Sequence, residues 1–261
     1  ALREGKRLLT LYLQDKLPPA DRIVFNLLYD YYSSPEIQKA IYRFAKFRKL
    51  TLQRAFRCFM PAPTNPDDIL PLAFAAADLP LFWPALHATI TRYNGAKAIL
   101  KDLVLDLDFK SDSWQVAFDA ALPIIRRLRD FEVTFFVKFS GNTSPHLIIP
   151  AEAFPDDAAL DSRLREQILS FVRRLLPSSR CLDMTFFTLP DHFLRLPYSM
   201  NEHTGLVSLP IPLDEYEFFH PQWAMPEEVW VSEDWWQIPS DAAKQTTNFG
   251  KFLARSTYNQ F

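Results

Sequence analysis

The chain has 261 residues, of which 48% are hydrophobic and 23% charged, so a folded protein is expected and an intrinsically disordered one is excluded. Its formal net charge of −2 argues against a protein that coats nucleic acid with its whole surface, but it permits an enzyme with one local basic cleft. The few glycines form neither a Walker-type loop nor a Gly-x-Gly-x-x-Gly turn, so any phosphate group must be bound by side chains and ordinary turns.

Two cysteines, Cys58 and Cys181, cannot supply a four-cysteine zinc site and do not form a Cys-x-x-Cys pair, so we predict no zinc. We expect both to be buried, reduced thiols, which places the protein in a reducing compartment, the cytoplasm or the nucleus. No apolar run approaches the ~20 residues of a membrane span, and no signal peptide is visible. Neither membrane insertion nor secretion is therefore expected.

Helical periodicity dominates residues 1–60, and a helical N-terminal region is predicted there. Two sets of apolar residues recur at helical spacing, and the serines and proline at 33–35 mark the start of the helix that contains the second set. These sets are Leu8, Leu9, Tyr12 and Leu13, then Ile37, Ile41 and Phe44. The proline-rich residues 60–84 are predicted as a loop-rich connection with at most a short helix.

Strand patterns and amphipathic helices alternate after residue 100. The predicted strands cover residues 101–109, 133–139, 146–150, 182–187 and 206–211. Helical spacing is shown by Trp114, Phe118, Leu122 and Ile125, and again by Leu160, Leu164, Ile168, Phe171 and Leu175. The whole predicts an α/β or α+β layered domain with a mixed sheet and a helical N-terminal region.

Two aspartates stand at alternate positions at the end of the first predicted strand. Because side chains alternate along a strand, Asp106 and Asp108 leave one face while the apolar residues around them point into the core. Two carboxylates on one face repel each other unless a cation lies between them, and Mg²⁺ prefers such oxygen ligands together with substrate phosphates. Alone, the pair is better explained as a strand with a solvated acidic face.

A turn between two predicted strands carries a serine and a histidine. Residues 140–146 read Ser-Gly-Asn-Thr-Ser-Pro-His, and such a turn can present Ser140 and His146 to a phosphate group. A hydroxyl donates one hydrogen bond to a phosphate oxygen, and an imidazole adds a second donor. Alone, this segment is better explained as an ordinary turn before a strand.

A third group of polar residues follows in the C-terminal half. Asp183 lies in the predicted strand at 182–187, and Arg195 precedes Leu-Pro-Tyr-Ser at 196–199 and Thr-Gly at 204–205. Separately, Asp183 is explained as a surface acid and Arg195 as an ion-pair partner. The three groups in this order and at this spacing are much harder to explain as coincidence.

In these segments the chain resembles the catalytic subunit of archaeo-eukaryotic primases and their primase-polymerase relatives. Residues 105–108 match the family's hydrophobic-Asp-hydrophobic-Asp motif, residues 140–146 its Ser-Gly-x-x-Gly-x-His motif, and residues 182–183 its hydrophobic-Asp pair. Residues 195–210 resemble a basic residue, a Pro-x-Ser-x-His-x-Lys-Thr-Gly block and the strand that follows. A weaker match, at 44–49, resembles a Phe-Ala-x-x-Arg-Glu segment.

The resemblance implies a primase-type α/β (α+β) catalytic core without a zinc-binding insert. The resemblance spans residues 37–226, so we predict that the helical region 1–60 belongs to the catalytic domain and that 61–226 form the polymerase core. Residues 227–261 are predicted to be a C-terminal extension, for which no secondary structure is assigned. The implied activity is template-directed joining of NTPs or dNTPs on single-stranded DNA. The implied protein partners are a primase large subunit, a helicase or another replication or repair protein.

Residue by residue, the resemblance implies a catalytic, metal-binding set that would hold two Mg²⁺ or Mn²⁺ ions. This set is Asp106, Asp108 and Asp183. One ion would activate the attacking 3′-hydroxyl and the other would hold the triphosphate. The implied nucleotide-binding residues are Ser140, His146, Arg195, Arg48, Asn201 and His203.

Five positions depart from the family pattern, and two of them, Asn142 and Thr143, stand where basic residues are common in the replicative enzymes of the family. Ser144 replaces the second glycine of the serine-histidine motif. Asn201 stands where a phosphate-contacting histidine is usual, and His203 where a lysine is usual. The phosphate-binding half is therefore expected to carry less positive charge than is usual in the family, whereas all the metal-binding aspartates match.

Two other functions fit parts of the pattern. A primase-like subunit that has lost synthesis would have a structural or nucleotide-binding role in a larger assembly. Its tail could dock a partner, although packing on the domain's own sheet explains the tail better. The tail tryptophans are Trp223, Trp230, Trp235 and Trp236. An unrelated metal-dependent phosphohydrolase would use the same acids, but the serine-histidine and arginine-proline-serine segments would be unexplained.

Overall fold

The computed structural model describes residues 1–52, 60–77, 83–107, 113–155, 162–176, 181–189 and 192–258. The helices are α1 (Leu2–Leu13), α2 (Pro19–Tyr32), α3 (Pro35–Ala45), α4 (Ile69–Ala76), α5 (Trp114–Asp130), α6 (Ser162–Leu175), α7 (Thr185–Thr188) and α8 (Ala242–Tyr258). The strands are β1 (Arg48–Leu52), β2 (Leu86–Asn94), β3 (Lys97–Lys101), β4 (Leu103–Asp106), β5 (Phe136–Phe139), β6 (Pro145–Ile149), β7 (Phe193–Arg195) and β8 (Pro210–Ile211).

Two sheets organise these strands. In the first, β2 pairs with β1, β3 and β7; in the second, the order is β4-β6-β5-β8. Every pairing among the described strands is antiparallel, so the expected mixed sheet is wrong. Tight connections explain two of these pairings, because the short β2–β3 and β5–β6 turns can join only antiparallel neighbours. The broader expectation of an α/β domain built from helices and sheets is confirmed.

Helix α4 occupies the centre of the N-terminal half. Its sequence, Ile-Leu-Pro-Leu-Ala-Phe-Ala-Ala, is apolar on all sides, and nearly all of it is buried. A helix that is apolar all round must be surrounded by protein, and α1, α2 and α3 pack against it. The short helix that was predicted as possible within the proline-rich connection is thus α4, and it belongs to the core.

One strand lies inside the region predicted to be helical. Phe47 adopts a φ of 65°, a left-handed conformation that ends helical structure after α3. The chain then enters β1, whose Leu50 and Leu52 are buried where β1 pairs with β2. The helix prediction for residues 48–52 is therefore wrong.

Three predicted strands have different bounds or a different structure. The segment predicted at 101–109 is divided between the end of β3 and β4, and its residues 108 and 109 lie outside the described residues. The strand at 182–187 is wrong, because Asp183 Oδ1 accepts a hydrogen bond from Thr185 N at 2.8 Å and closes a turn that leads into α7. The strand at 206–211 is reduced to β8 and an isolated bridge between Met200 and Val207.

The C-terminal segment packs on the domain. Trp235 is buried, and its indole Nε1 donates to Val137 O at 3.0 Å. Trp236 lies 4.4 Å from the ring of Phe136 and 4.8 Å from that of Phe44, measured between centroids. These two tryptophans therefore cover β5 and α3, which agrees with the prediction that the tail packs on the domain's own sheet.

A buried carboxylate joins the two sheets at the β3–β4 junction. Asp102 is 1% exposed and accepts hydrogen bonds from Arg48 at 2.6 Å and from Arg92 at 3.0 Å. Its Oδ1 also accepts from Ala151 N at 3.0 Å. Burial alone would raise the pKa of Asp102, but the two guanidinium groups outweigh it and hold the pKa below its usual value.

Substituting Asp102→Asn should lower the free energy of unfolding by roughly 3–5 kcal/mol, because Arg48 would remain buried without a charge partner. Because the folded-state pKa of Asp102 is depressed, this stabilisation is present at neutral pH and is lost as the pH falls through that pKa. The difference between wild type and variant in urea denaturation should therefore shrink in acid. Asp130→Asn, which breaks the exposed pair with Arg127, is the control and should cost less than about 1 kcal/mol.

Candidate functional site

A row of polar side chains crosses the second sheet. In the strand register Asp106 of β4 is opposite His146 of β6, which is opposite Lys138 of β5. Side chains directly opposite each other on neighbouring antiparallel strands lie on the same face. The register alone therefore brings an acid, an imidazole and an amine into contact, although Asp106 and Lys138 are far apart in sequence.

The contacts along this row indicate which nitrogen of the His146 imidazole carries the proton. His146 Nε2 lies 3.3 Å from Asp106 Oδ1, and a carboxylate favours the nitrogen that carries the proton. His146 Nδ1 is then the acceptor for Lys138 Nζ, at 2.9 Å. Burial lowers the pKa of His146, so the ring is neutral at pH 7. Lys138 also donates to Ser208 Oγ at 2.6 Å.

Asp183 is attached to this row by the backbone. Its N–H donates to Asp106 O at 3.0 Å, which places the two aspartates side by side. The Asp183 carboxylate accepts from Thr185 Oγ1 at 2.8 Å, and Thr185 Oγ1 lies 3.2 Å from His192 Nε2. The turn that replaces the predicted strand thus fixes the Asp183 side chain, and both aspartates line one cavity.

The surroundings of Asp106 fit a divalent cation. Its Oδ1 is buried and accepts no hydrogen bond among the described residues, and its nearest polar contact is His146 Nε2 at 3.3 Å. Burial would raise the pKa of Asp106, but His146, Lys138 and Arg195 lower it, so the carboxylate is ionised. A buried, ionised oxygen that accepts no hydrogen bond is costly in a protein and is the kind of ligand that Mg²⁺ or Mn²⁺ takes.

Two aspartates do not by themselves complete an ion site. Within the described residues, no group of three His, Cys, Asp or Glu side chains is placed to hold a metal. Asp108, the third predicted ligand, lies outside those residues. Because Asp108 follows Asp106 by two residues in the sequence, it remains a predicted metal ligand.

The serine-glycine turn is built around the Ser140 hydroxyl. Ser140 Oγ accepts hydrogen bonds from the backbone N–H groups of Asn142 at 3.2 Å and Ser144 at 3.1 Å. The hydroxyl hydrogen is left as a donor. Gly141 follows at a φ of +84°, so the chain reverses through a conformation that favours glycine.

A second turn interlocks with the first. Asn201 Oδ1 accepts from the backbone N–H groups of His203 at 2.9 Å and Thr204 at 3.3 Å, and Thr204 Oγ1 donates to Gly141 O. A Cβ on Gly141 would lie 2.8 Å from Asn201 Cβ and 2.9 Å from Leu206 O. Asn201 therefore acts first as a turn former, which explains why an amide stands at this position.

Arg195, at the end of β7, spans both turns. Its Nη1 donates to Ser140 O at 2.8 Å, and its Nη2 donates to the carboxylate of Glu202. The guanidinium side chain is 11% exposed and the Glu202 side chain 10%, so this is a largely buried ion pair. His203, by contrast, is 64% exposed.

These residues surround a cavity of about 310 Å³. The predicted residues that line it are Asp106, Ser140, His146, Asp183, Arg195, Asn201 and His203. His87, His192 and Glu202 line it as well and were not predicted. His87 is opposite Arg195 in the β2–β7 register, and burial lowers its pKa well below the usual value. Only that cross-strand pairing, which the sequence does not display, could have identified it.

Arg48 does not belong to this group of residues. Its side chain is 2% exposed and is held by Asp102 and by the carbonyl oxygens of Phe44 and Thr89. A guanidinium enclosed in this way has a structural role between α3, β1 and β2. The predicted contact of Arg48 with a triphosphate is therefore not compatible with its position.

None of the protein-family models matches the chain, and no curated protein sequence matches it. Among solved structures, it is similar to the polymerase domain from Mycobacterium tuberculosis Ligase D in complex with DNA. The two share 14% sequence identity at a TM-score of 0.54, and the match covers 86% of this chain and 88% of the other. The chain therefore has the fold of a polymerase domain. No helix in the described part of the chain has the length and apolar character needed to cross a membrane.

Substituting Gly141→Ala should separate the interlocked turns. The left-handed backbone costs roughly 1–2 kcal/mol for an L-residue, and the contact with Asn201 adds roughly 1–3 kcal/mol of overpacking. Gly95→Ala is the matched control, because Gly95 has a φ of +58° but no atom within 4 Å of the added Cβ. Urea denaturation should give a loss for Gly141→Ala that exceeds the loss for Gly95→Ala. Equal losses would contradict the interlock.

Substituting Lys138→Met should weaken Mn²⁺ binding by roughly 10–100-fold, because His146 loses the partner that orients it toward Asp106. The free energy of unfolding should fall by about 1–3 kcal/mol, because His146 Nδ1 and Ser208 Oγ lose a buried hydrogen-bond donor. Calorimetric Mn²⁺ titration and ¹⁵N NMR of the imidazole test this. An unchanged His146 tautomer and unchanged Mn²⁺ affinity would show that Lys138 has no orienting role.

Proposed function

We propose that the protein is a template-directed nucleotidyltransferase, a primase or primase-polymerase, that joins NTPs or dNTPs on a single-stranded DNA template. One observation carries the proposal: Asp106, with a buried oxygen that accepts no hydrogen bond, lines the same cavity as Asp183, Ser140 and Arg195. The similarity of the fold to the polymerase domain of Mycobacterium tuberculosis Ligase D supports it.

In this proposal Asp106, Asp108 and Asp183 hold two Mg²⁺ or Mn²⁺ ions. Bound ions would activate a 3′-hydroxyl and neutralise the triphosphate. His146 keeps its proton on Nε2 and orients Asp106. The side chains of Asp106 and Asp183 are positioned by three adjacent strands and one turn, which supports rigid placement of the groups that would hold the ions.

The phosphate-binding roles are divided among residues of the two turns. The Ser140 hydroxyl donates to a phosphate oxygen, since its lone pairs already accept backbone N–H groups. Arg195 supplies a guanidinium whose fork geometry matches phosphate. Exposed His203 extends toward the outer phosphates, and Asn201 keeps the turn closed around them.

The proposed partners follow from the same activity. The similar polymerase domain was solved in complex with DNA, which supports DNA as the template here. A near-neutral protein with one polar cavity has little general affinity for nucleic acid, so a primase large subunit, a helicase or another replication or repair protein is proposed to deliver the template.

Substituting Asp106→Ala or Asp183→Ala should reduce primer extension with Mn²⁺ by more than roughly 100-fold, because metal-ion stabilisation of the transition state is worth several kcal/mol. Extension of a primed single-stranded template by purified protein is the measurement. Asp130→Ala, an exposed acid on α5, is the control and should retain wild-type activity. Full synthesis by an Asp106→Ala/Asp183→Ala protein would disprove the mechanism.

A primase-like subunit without synthesis is the second candidate. The buried pair between Arg195 and Glu202 and the use of Asn201 as a turn former favour it, because both reduce the positive charge offered to a triphosphate. Calorimetric titration with Mn²⁺ and a nucleotide separates the candidates. Absence of Mn²⁺ and nucleotide binding, together with absence of extension, supports the subunit, and template-independent release of phosphate would indicate a phosphohydrolase.

A further inference from the structure

Glu202 occupies an unexpected place for an acidic residue. It lines the same cavity as the proposed phosphate-binding residues, yet its side chain is only 10% exposed. Its carbonyl oxygen accepts from Trp83 N at 2.9 Å, so the backbone is held as well. Burying a carboxylate at this position is costly unless it has a partner.

The partners of Glu202 are two of the residues assigned to phosphate. Glu202 Oε2 accepts from Arg195 Nη2, and Glu202 Oε1 lies 3.9 Å from His203 Nε2. Arg195 Nη1 is directed to Ser140 O, and Arg195 Nε is buried with no hydrogen-bond partner among the described residues. Both terminal nitrogens of the guanidinium thus already face protein acceptors.

The charges that line the cavity also oppose the binding of a free polyphosphate. Its lining contains the carboxylates of Asp106, Asp183 and Glu202, and Arg195 is the single Lys or Arg residue among the described residues that line it. A metal-free polyphosphate that entered would meet a guanidinium already neutralised by a carboxylate. It would have to displace that carboxylate to bind.

We propose that Glu202 is an internal competitor for phosphate, which holds Arg195 and thereby makes the cavity reject polyphosphates that arrive without a divalent cation. The proposal rests on the proposed function in one respect, because it takes Arg195 as the phosphate-binding cation. Glu202 is then a specificity-determining residue, which restricts the site to metal-bound triphosphates and excludes abundant free anions.

Binding of inorganic tripolyphosphate in the presence of EDTA tests the proposal by calorimetry. Glu202→Gln should bind at least about tenfold more tightly than wild type, equivalent to about 1.4 kcal/mol, because Arg195 loses its charged competitor but keeps a hydrogen-bond acceptor. Damage to the fold would weaken binding, so a gain cannot arise from disruption. Glu202→Asp, which keeps the charge, should remain as weak as wild type.

The matched control is Glu217→Gln, which removes the same charge from an exposed pair with Arg126 outside the cavity. It should leave tripolyphosphate affinity unchanged, which separates a local effect from net charge. Equal or weaker binding by Glu202→Gln would overturn the proposal.

A second measurement asks whether Arg195 is the group that Glu202 releases. In the Glu202→Gln background, Arg195→Gln should abolish the gain in tripolyphosphate affinity, because the released guanidinium is the group that binds. A gain that persists without Arg195 would also overturn the proposal. Primer extension is scored separately, so failure of the Glu202 proposal while extension persists would leave the proposed function intact.

Discussion

The pairing of β4 with β6 determines where chemistry can occur in this protein. It sets Asp106 opposite His146, and the next pairing sets His146 opposite Lys138. A shift of one residue in either register would turn these side chains to the other face of the sheet. A buried amine and a largely buried carboxylate are each unfavourable alone, but the neutral imidazole between them contacts both.

The rest of the cavity is attached to this row by turns. The Asp183 turn is joined to Asp106 by a backbone hydrogen bond, and the serine-glycine turn is locked to the Asn201 turn at Gly141. The resulting site has an acidic part with an unpaired carboxylate oxygen and a phosphate-binding part whose arginine is already paired. Positive charge brought by bound cations would therefore matter more here than in a site rich in lysine and arginine.

Much of the candidate site could be predicted from the sequence, because it lies in short segments whose order and spacing resemble a known family. Asp106, Ser140, His146, Asp183 and Arg195 do line one cavity. Arg48 shows the limit of such reasoning. A segment can resemble a motif while a distant residue, here Asp102, holds its arginine in a buried ion pair. The alternating pattern of β1 was also hidden within a region of helical periodicity.

Lys138 and Glu202 show a second limit. Both lie beside motif residues, yet their roles come from cross-strand register and turn packing, which spacing along the chain does not display. The strand predicted around Asp183 failed for a related reason. Its apolar and β-branched residues suit a strand, but a local hydrogen bond from Thr185 to the Asp183 carboxylate closes a turn instead.

The central claim is that Asp106 and Asp183 form one metal-binding centre of a nucleotidyltransferase. A crystal structure of the protein with Mn²⁺ and a nucleoside triphosphate tests it most directly, because manganese can be located by its anomalous scattering. The account predicts manganese bound by the carboxylates of Asp106 and Asp183, with the triphosphate extending toward Ser140 and Arg195. Manganese bound elsewhere, or a triphosphate outside this cavity, would contradict it.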